Sequence, residues 1–494
     1  MKNTYKYILP ALALALVSCE PSFDNEVDNS SYSKGEADFS TYVAIGNSLT
    51  AGYMDGTVFK SSQENSFPNI LSKQFAIVGG GVFTQPSYAD DTNNLGGLTL
   101  GGVPLTGTRL IINMDTGGPE NLKGVPTIEV GKLQAKAYNN MGVPGAKSFH
   151  LLAPNYGNVN GVITKTANPY FVRHATSPSV TVLEDAMSLN PTFFTNWIGN
   201  NDVLGYSTSG GVGAVGGTGE NDITPVAFFQ QAYEKIIETL TSKGAKGVVA
   251  TIPDVTAIPY FTTVPYNPVP LQADNVAKLN AAFAQYNGGL KQALGAGLIK
   301  QAEVDSRTIN FVVGNNAVVI VDKFLTDLKG LGLPSYRHAT KEDLLTLPSR
   351  TIIGTVVGGD VNMINGLSVP LADQWVLTKD EVAIARQATT DFNNIIKATA
   401  SSKGLAIVDM NAVLNKAVSG LRAEDGQIYT ADYFKGLGNL STVMFSLDGV
   451  HLNARGYAFV SNEILKVINS HYKAKLPMVN PATYPGPTLL PSNK

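Results

Sequence analysis

The stretch Phe39-Ser40-Thr41-Tyr42-Val43-Ala44-Ile45-Gly46-Asn47-Ser48-Leu49-Thr50-Ala51-Gly52 decides the architecture. Its first seven residues make a short apolar run with aromatic and β-branched side chains, cut off by Gly46-Asn47. That is the pattern of a buried strand ending in a tight turn. Leu49-Thr50-Ala51 then reads as the start of a helix, and a strand turning directly into a helix opens an α/β layer. Three further runs, Thr192–Ile198, Gly247–Ile252 and Leu405–Met410, carry the same buried-strand signature. Helical periodicity fills the gaps. In Val226–Ser242 it falls on Phe229, Ala232, Ile236, Ile237 and Leu240, with Lys243-Gly244 as a stop. Leu271–Leu294, Glu381–Lys403 and Ala454–Tyr472 read likewise. The alternation predicts an α/β fold with a mainly parallel sheet.

Four segments break this alternation: about 53–133, 151–189, 205–224 and 303–378. They are rich in Gly, Thr, Asn and Pro, and are expected to be large loop insertions into one domain spanning 39–494. The chain has 494 residues, 44% of them hydrophobic, which is ample for one extensive core. Its formal net charge is −3 with no basic block, so nothing points to a nucleic-acid partner. The single cysteine, Cys19, excludes an intrachain disulfide and a thiolate metal cluster.

The position of that cysteine is informative. Lys2 and Lys6 precede an apolar run, Tyr7 to Val17, too short to span a bilayer, and Ser18-Cys19 follows. Residues 1–18 read as a signal peptide, and Leu16-Val17-Ser18-Cys19 resembles a bacterial lipobox, in which the cysteine is lipidated. Residues 19–38, polar, acidic and turn-prone, are expected to be a flexible tether. Residue 20 is Glu and not Asp, which favours an outer-membrane lipoprotein anchored through Cys19, facing the periplasm or exposed at the cell surface.

Chemistry-bearing residues gather at predicted strand ends. Ser48 lies just past the first strand, where open α/β folds bind ligands, and a helix starting behind it would favour developing negative charge. Gly199-Asn200-Asn201-Asp202 closes the Thr192–Ile198 run, and an asparagine amide there can donate to an oxyanion. The same residues also fit an ordinary Asn/Asp-rich turn. Asn140 to Ala146 contains Gly142 and Gly145, whose backbone N–H groups can approach a ligand closely, or which only shape a loop. Among five histidines, His451 alone has a carboxylate three residues ahead, Asp448, able to set its tautomer and orientation.

Taken in order, these blocks resemble the SGNH/GDSL hydrolase family. Gly46-Asn47-Ser48-Leu49 matches its nucleophile block, Gly142-Val143-Pro144-Gly145 its glycine block, Gly199-Asn200-Asn201-Asp202 its Gly-x-Asn-Asp block, and Asp448-Gly449-Val450-His451 its terminal block. The resemblance spans nearly the whole folded region except the insertions. It implies a flavodoxin-like three-layer α/β/α sandwich and a serine esterase of the lipase or carboxylesterase kind. Ser48 would be the nucleophile, His451 the general base, Asp448 its orienting carboxylate. The oxyanion hole would be the Ser48 and Gly145 backbone N–H groups and the Asn201 amide. The commonest nucleophile block has Asp where this chain has Asn47, which keeps the shape and one acceptor oxygen. No metal or organic cofactor is implied. The expected partner is an ester substrate, either an acyl lipid or an acetylated glycan. A polysaccharide acetylesterase, an acyltransferase with the same triad, or a non-catalytic glycan-binding surface lipoprotein remain alternatives. Ala167–Phe171 and Ile258–Phe261 are apolar segments that would line an acyl pocket or belong to the core.

Overall fold

A computed structural model describes residues 31–423 and 426–490; the expected signal peptide, Cys19 and the tether up to residue 30 lie outside the described residues. The central sheet has five strands: β1 (Tyr42–Gly46), β2 (Asn140–Gly142), β3 (Phe193–Trp197), β4 (Lys246–Ala250) and β5 (Ala406–Val408). Every pairing is parallel and the order is β2-β1-β3-β4-β5. This 2-1-3-4-5 order is that of flavodoxin-like folds. β1 and β3 are buried at every residue, as strands covered on both faces must be, hence their near-continuous apolar sequence.

The helices that matter here are α1 (Ser48–Ala51), α2 (Phe67–Ile77), α3 (Val182–Ser188), α4 (Asn201–Thr208), α5 (Val226–Thr241), α6 (Ala273–Gly295), α7 (Lys379–Ser402), α8 (Met410–Val418) and α9 (Ala454–His471). The chain moves one way across the sheet from β1 to β2 and the opposite way in every later crossover. With right-handed crossovers, that reversal puts α2 on one face and α3, α5 and α7 on the other, while α9, which follows the last strand, is placed by its packing. The packing agrees: α9 lies on α2, and α5 contacts both α3 and α7. One continuous hydrophobic core runs through both faces of the sheet.

Sequence expectation and structure part company at four places. β2 was expected as a glycine loop; only Asn140, Met141 and Gly142 are in the strand, held by pairing with Ala44–Gly46. α2 lies inside the expected insertion 53–133. It covers β1, with the Phe75 ring stacked on Phe39 at 4.0 Å and edge-on to Tyr42 at 4.9 Å. α6, expected as a layer helix, instead builds a separate core with the following segment, where Leu279, Phe283 and Leu290 meet Ile309, Phe311 and Leu333. The fourth insertion therefore includes α6 and starts well before residue 303. Finally, residues 33–37, expected as the end of the tether, are bonded to the end of α9. Ser33 and Lys475 exchange backbone hydrogen bonds of 3.3 and 2.8 Å, and Ala37 is buried.

A buried charge cluster holds the large insertion together and reaches the main domain at α7. Arg337 donates to Asp322 at 2.6 Å and, bidentately, to Asp343 at 2.7 Å, all three being buried. Asp343 also accepts the Lys379 N–H at the start of α7, at 2.9 Å. Arg337→Met would leave two buried carboxylates without a counter-charge. It is expected to cost about 3–5 kcal/mol, read by urea denaturation, with proteolysis opening the insertion first.

Candidate active site

The reversal in strand order falls at β1, so the carboxyl ends of β1 and β3 form the switch point where such sheets take ligands. Gly46 ends β1, and a Cβ there would lie 2.5 Å from the Trp197 carbonyl, so only glycine lets the two strand ends approach. Asn47 follows, buried, its Oδ1 accepting the Leu49 N–H at 3.1 Å as the cap of α1. The acceptor oxygen that Asn shares with Asp is the one used. α1 is only four residues long and ends at Gly52. The expected help from a helix dipole at Ser48 is accordingly small, since a single turn sums few peptide dipoles.

Asp448 and His451 come from the other end of the chain, in a loop closed by the Ser446 N–H to His451 carbonyl bond at 2.8 Å. Gly449 sits in this loop at φ +72°, and a Cβ there would meet Leu347 of the insertion at 2.9 Å. Asn453 caps α9 through the Gly456 N–H at 2.9 Å, and its own amide holds the Val443 carbonyl at 3.0 Å. The loop is thus fastened to the first turn of α9. It delivers His451 Nε2 to 2.8 Å from Ser48 Oγ and His451 Nδ1 to 3.0 Å from Asp448 Oδ2.

Burial alone would raise the Asp448 carboxyl. The neighbouring His451 charge, its ring hydrogen bond and the His451 and Val450 backbone N–H groups outweigh it and hold it down at about 2. Both of those N–H groups lie 2.8 Å from Asp448 Oδ1, and the Gly56 N–H donates to Oδ2 at 3.1 Å. An ionised Asp448 can only accept, so Nδ1 carries the imidazole proton and Nε2 presents its lone pair to the Ser48 hydroxyl.

The remaining expected residues lie on the turns after β2 and β3, Asn201 lining the same cleft as Ser48 and His451. The Gly142 N–H is taken by Asn140 Oδ1 at 3.0 Å, whereas Gly145 is exposed at φ +79°. Asn201 is the first residue of α4, and its amide donates to the Ala146 carbonyl at 2.9 Å, leaving its second N–H for other use. Next to it, Asp202 accepts both the N–H and the hydroxyl of Ser148 at 2.8 Å. Burial nevertheless pushes its carboxyl up to about 6. Lys147, buried and lowered by burial, donates to the carbonyls of Gly219 and Asp222 at 2.6 and 2.7 Å. The glycine turn after β2 is therefore bolted to the asparagine turn after β3, across the end of β1.

Ser48 and His451 open into a small cleft of about 40 Å³. Leu49, Trp197, Leu204, Pro253, Val255 and Ile258 give it an apolar wall, with Asn200 and Asn201 among its few polar residues. Of the apolar segments considered from sequence, Ile258 reaches the cleft, while Phe171 and Phe261 are buried in the core. Sequence reasoning missed Leu204, Pro253, Val255 and the Gly56 donor. The only local signal for the last was Asp55-Gly56, a dipeptide favoured in tight turns.

No family model matches the chain, and no curated protein matches it. Two solved structures align over most of it. A lipase/acylhydrolase from Enterococcus faecalis does so at a TM-score of 0.28 and 9% identity, covering 89% of this chain and 98% of that one. An extracellular lipase from Streptomyces rimosus does so at 0.27 and 11%, covering 87% and 98%. The chemistry open to the site follows from its own geometry.

Proposed function

We propose that this protein hydrolyses carboxylic esters of apolar acyl groups through a Ser48–His451–Asp448 triad. The observation that carries the proposal is the unbroken hydrogen-bond line from Ser48 Oγ through His451 to Asp448, at 2.8 and 3.0 Å, at the mouth of an apolar cleft. Ser48 Oγ attacks the ester carbonyl carbon while its proton passes to His451 Nε2, and Asp448 stabilises the imidazolium. The tetrahedral oxyanion is held by the Ser48 and Gly145 N–H groups and the second N–H of Asn201. Collapse breaks the carbon–oxygen bond to the alcohol, which leaves with the proton from His451. Water, deprotonated by His451, then attacks the acyl-enzyme and releases the acid and free Ser48. The apolar side chains of Leu204, Val255 and Ile258 beside Ser48 suit the hydrocarbon of an acyl group, which favours a carboxylesterase or lipase over a polysaccharide acetylesterase. Anchoring at the outer membrane through a lipidated Cys19 belongs to the same proposal and rests on the leader sequence.

The purified protein, assayed on p-nitrophenyl esters from acetyl to palmitoyl, is expected to gain about fourfold in kcat/KM per methylene until the cleft is full, each buried methylene being worth about 0.8 kcal/mol. Ser48→Ala should abolish turnover by roughly a thousandfold or more. If wild type and Ser48→Ala are equally inert on every ester, the glycan-binding alternative takes precedence. Asn201→Ala is expected to lower kcat about a hundred- to thousandfold while costing only about 1 kcal/mol of stability for the lost Ala146 bond, as kinetics beside a thermal melt would show. In cells, Cys19→Ala should move the protein from the membrane to the soluble fraction; retention on the membrane would remove the anchor from the proposal.

A further inference from the structure

The four residues Met54–Thr57 form a tight turn immediately after the nucleophile segment. Met54 and Thr57 exchange backbone hydrogen bonds of 3.1 and 3.2 Å, and the central pair, Asp55 and Gly56, have φ of +53° and +86°. Two successive positive φ values are those of a type I′ turn, which Asp-Gly adopts readily. The turn is aimed at the opposite end of the chain. Asp55 is buried, its Oδ1 accepts the Leu447 N–H at 2.9 Å, and its own N–H donates to Ser446 Oγ at 3.1 Å. Gly56 donates to Asp448 Oδ2. One residue before the turn, the Tyr53 ring lies 4.5 Å from the His451 ring, and its carbonyl accepts the Tyr457 hydroxyl at 2.6 Å.

We propose that Asp55 is a positioning residue of the triad: its carboxyl group grips the Leu447 N–H and its main chain grips Ser446, which fixes the loop from which Asp448 and His451 project and keeps Asp448 against the Gly56 N–H. Among the described residues no other side chain bonds to the Leu447 N–H, and without that acceptor the buried donor would be free to turn away with its loop. The surrounding charged and titratable groups are Asp448, Arg109, Tyr433 and Tyr457. Burial, with the Asp448 charge adding to it, raises the Asp55 carboxyl to about 7 against the Leu447 N–H and Arg109. Both protonation states retain an acceptor oxygen for Leu447, so an amide can replace the carboxyl.

The proposal rests on the ester-hydrolase reading only for its kinetic readout. The full-length protein is compared with Asp55→Asn, Asp55→Gly and Ser446→Ala. Glycine keeps the left-handed backbone while removing the grip. Asp55→Gly is expected to lower kcat about ten- to hundredfold with KM changed by less than about threefold, as misplacement of a reacting group does. Asp55→Asn should stay within about threefold of wild type, and Ser446→Ala should fall between them. The far-downfield proton resonance of His451 Nδ1–H should be displaced in Asp55→Gly and retained in Asp55→Asn. An Asp55→Gly protein that melts earlier yet keeps wild-type kcat and this resonance would overturn the proposal, as would equal losses in Asn and Gly variants. If Asp55→Gly does not fold, Ser446→Ala decides by the same two readouts. Should wild type itself lack esterase activity, that reading fails alone, and the resonance still decides whether Asp55 places His451.

Discussion

β1 is hydrogen-bonded along both edges by parallel neighbours, Ala44–Gly46 to β2 and Tyr42–Gly46 to β3. Parallel pairing makes neighbouring strands end on the same side, so three turns emerge together: Gly46–Ser48, Gly142–Ala146 and Ile198–Asn201. None of their polar groups would meet otherwise, since 94 residues separate Ser48 from Gly142 in the numbering. The contact is closed by atoms with no room to spare, such as Gly46 against the Trp197 carbonyl, and by the Asn201–Ala146 and Asp202–Ser148 bonds. A slip of one residue in β1 would turn its buried side chains to the opposite face and shift the turn that carries Ser48 out of step with the turns after β2 and β3.

The hydrogen-bond line from Ser48 through His451 to Asp448 needs a second delivery that the sheet does not make. Asp448 and His451 ride on the N-terminal end of α9, whose seat on the sheet is fixed by its buried face of Tyr457, Val460, Ile464 and Leu465. α9 in turn lies on α2. The large insertion presses on the same loop from outside, with the Tyr260 N–H on the Gly449 carbonyl at 2.9 Å. The insertion thus has a structural stake in the site beyond decoration: the segment that begins it, Pro253 to Ile258, also walls the cleft.

What could be read from sequence follows from how local each signal is. β1, β3, β4 and β5 announce themselves as apolar runs because both faces are covered, and α5, α7 and α9 because each buries one stripe. The four blocks around Ser48, Gly145, Asn201 and Asp448–His451 were legible because turn chemistry is written in adjacent residues. β2 was not: three residues with two polar or small side chains carry no periodicity, and the strand exists through its neighbour. α2 had the pattern, with Phe67, Ile70, Leu71 and Phe75 buried at helical spacing, but it stands inside 80 residues of Gly- and Thr-rich sequence with Pro68 in its first turn. α6 has a genuine helical stripe, and a stripe says that a core exists without saying which one. The cleft was the least legible part, since Leu49, Leu204 and the pair Val255 and Ile258 come from three separate connections that only the tertiary fold assembles.

The site also shows how one environment separates carboxyl groups of the same kind. Asp448, Asp55 and Asp202 are all largely desolvated, which by itself favours the neutral acid. Asp448 receives two backbone N–H groups on one oxygen, Gly56 on the other, and an imidazole that becomes cationic, and it stays ionised down to about 2. Asp202 has the N–H and hydroxyl of Ser148 with only a more distant Lys147, and is raised to about 6; Asp55, beside Asp448 itself, is raised to about 7. The consequences for stability are opposite in sign. The Asp448 contribution is present above about pH 4 and lost as pH falls towards 2, whereas those of Asp202 and Asp55 are present below about pH 4 and lost as pH rises through 6 and 7. A folded state that keeps Asp55 and Asp202 in place at neutral pH therefore gives up stability to do so. The two groups that incur this cost are the ones that hold Leu447 beside Asp448 and Ser148 beside Asn201. Each of these acids joins two connections that are distant in sequence, Asp55 to Leu447 and Asp202 to Ser148, and the hydrogen bonds that do so are what its burial secures.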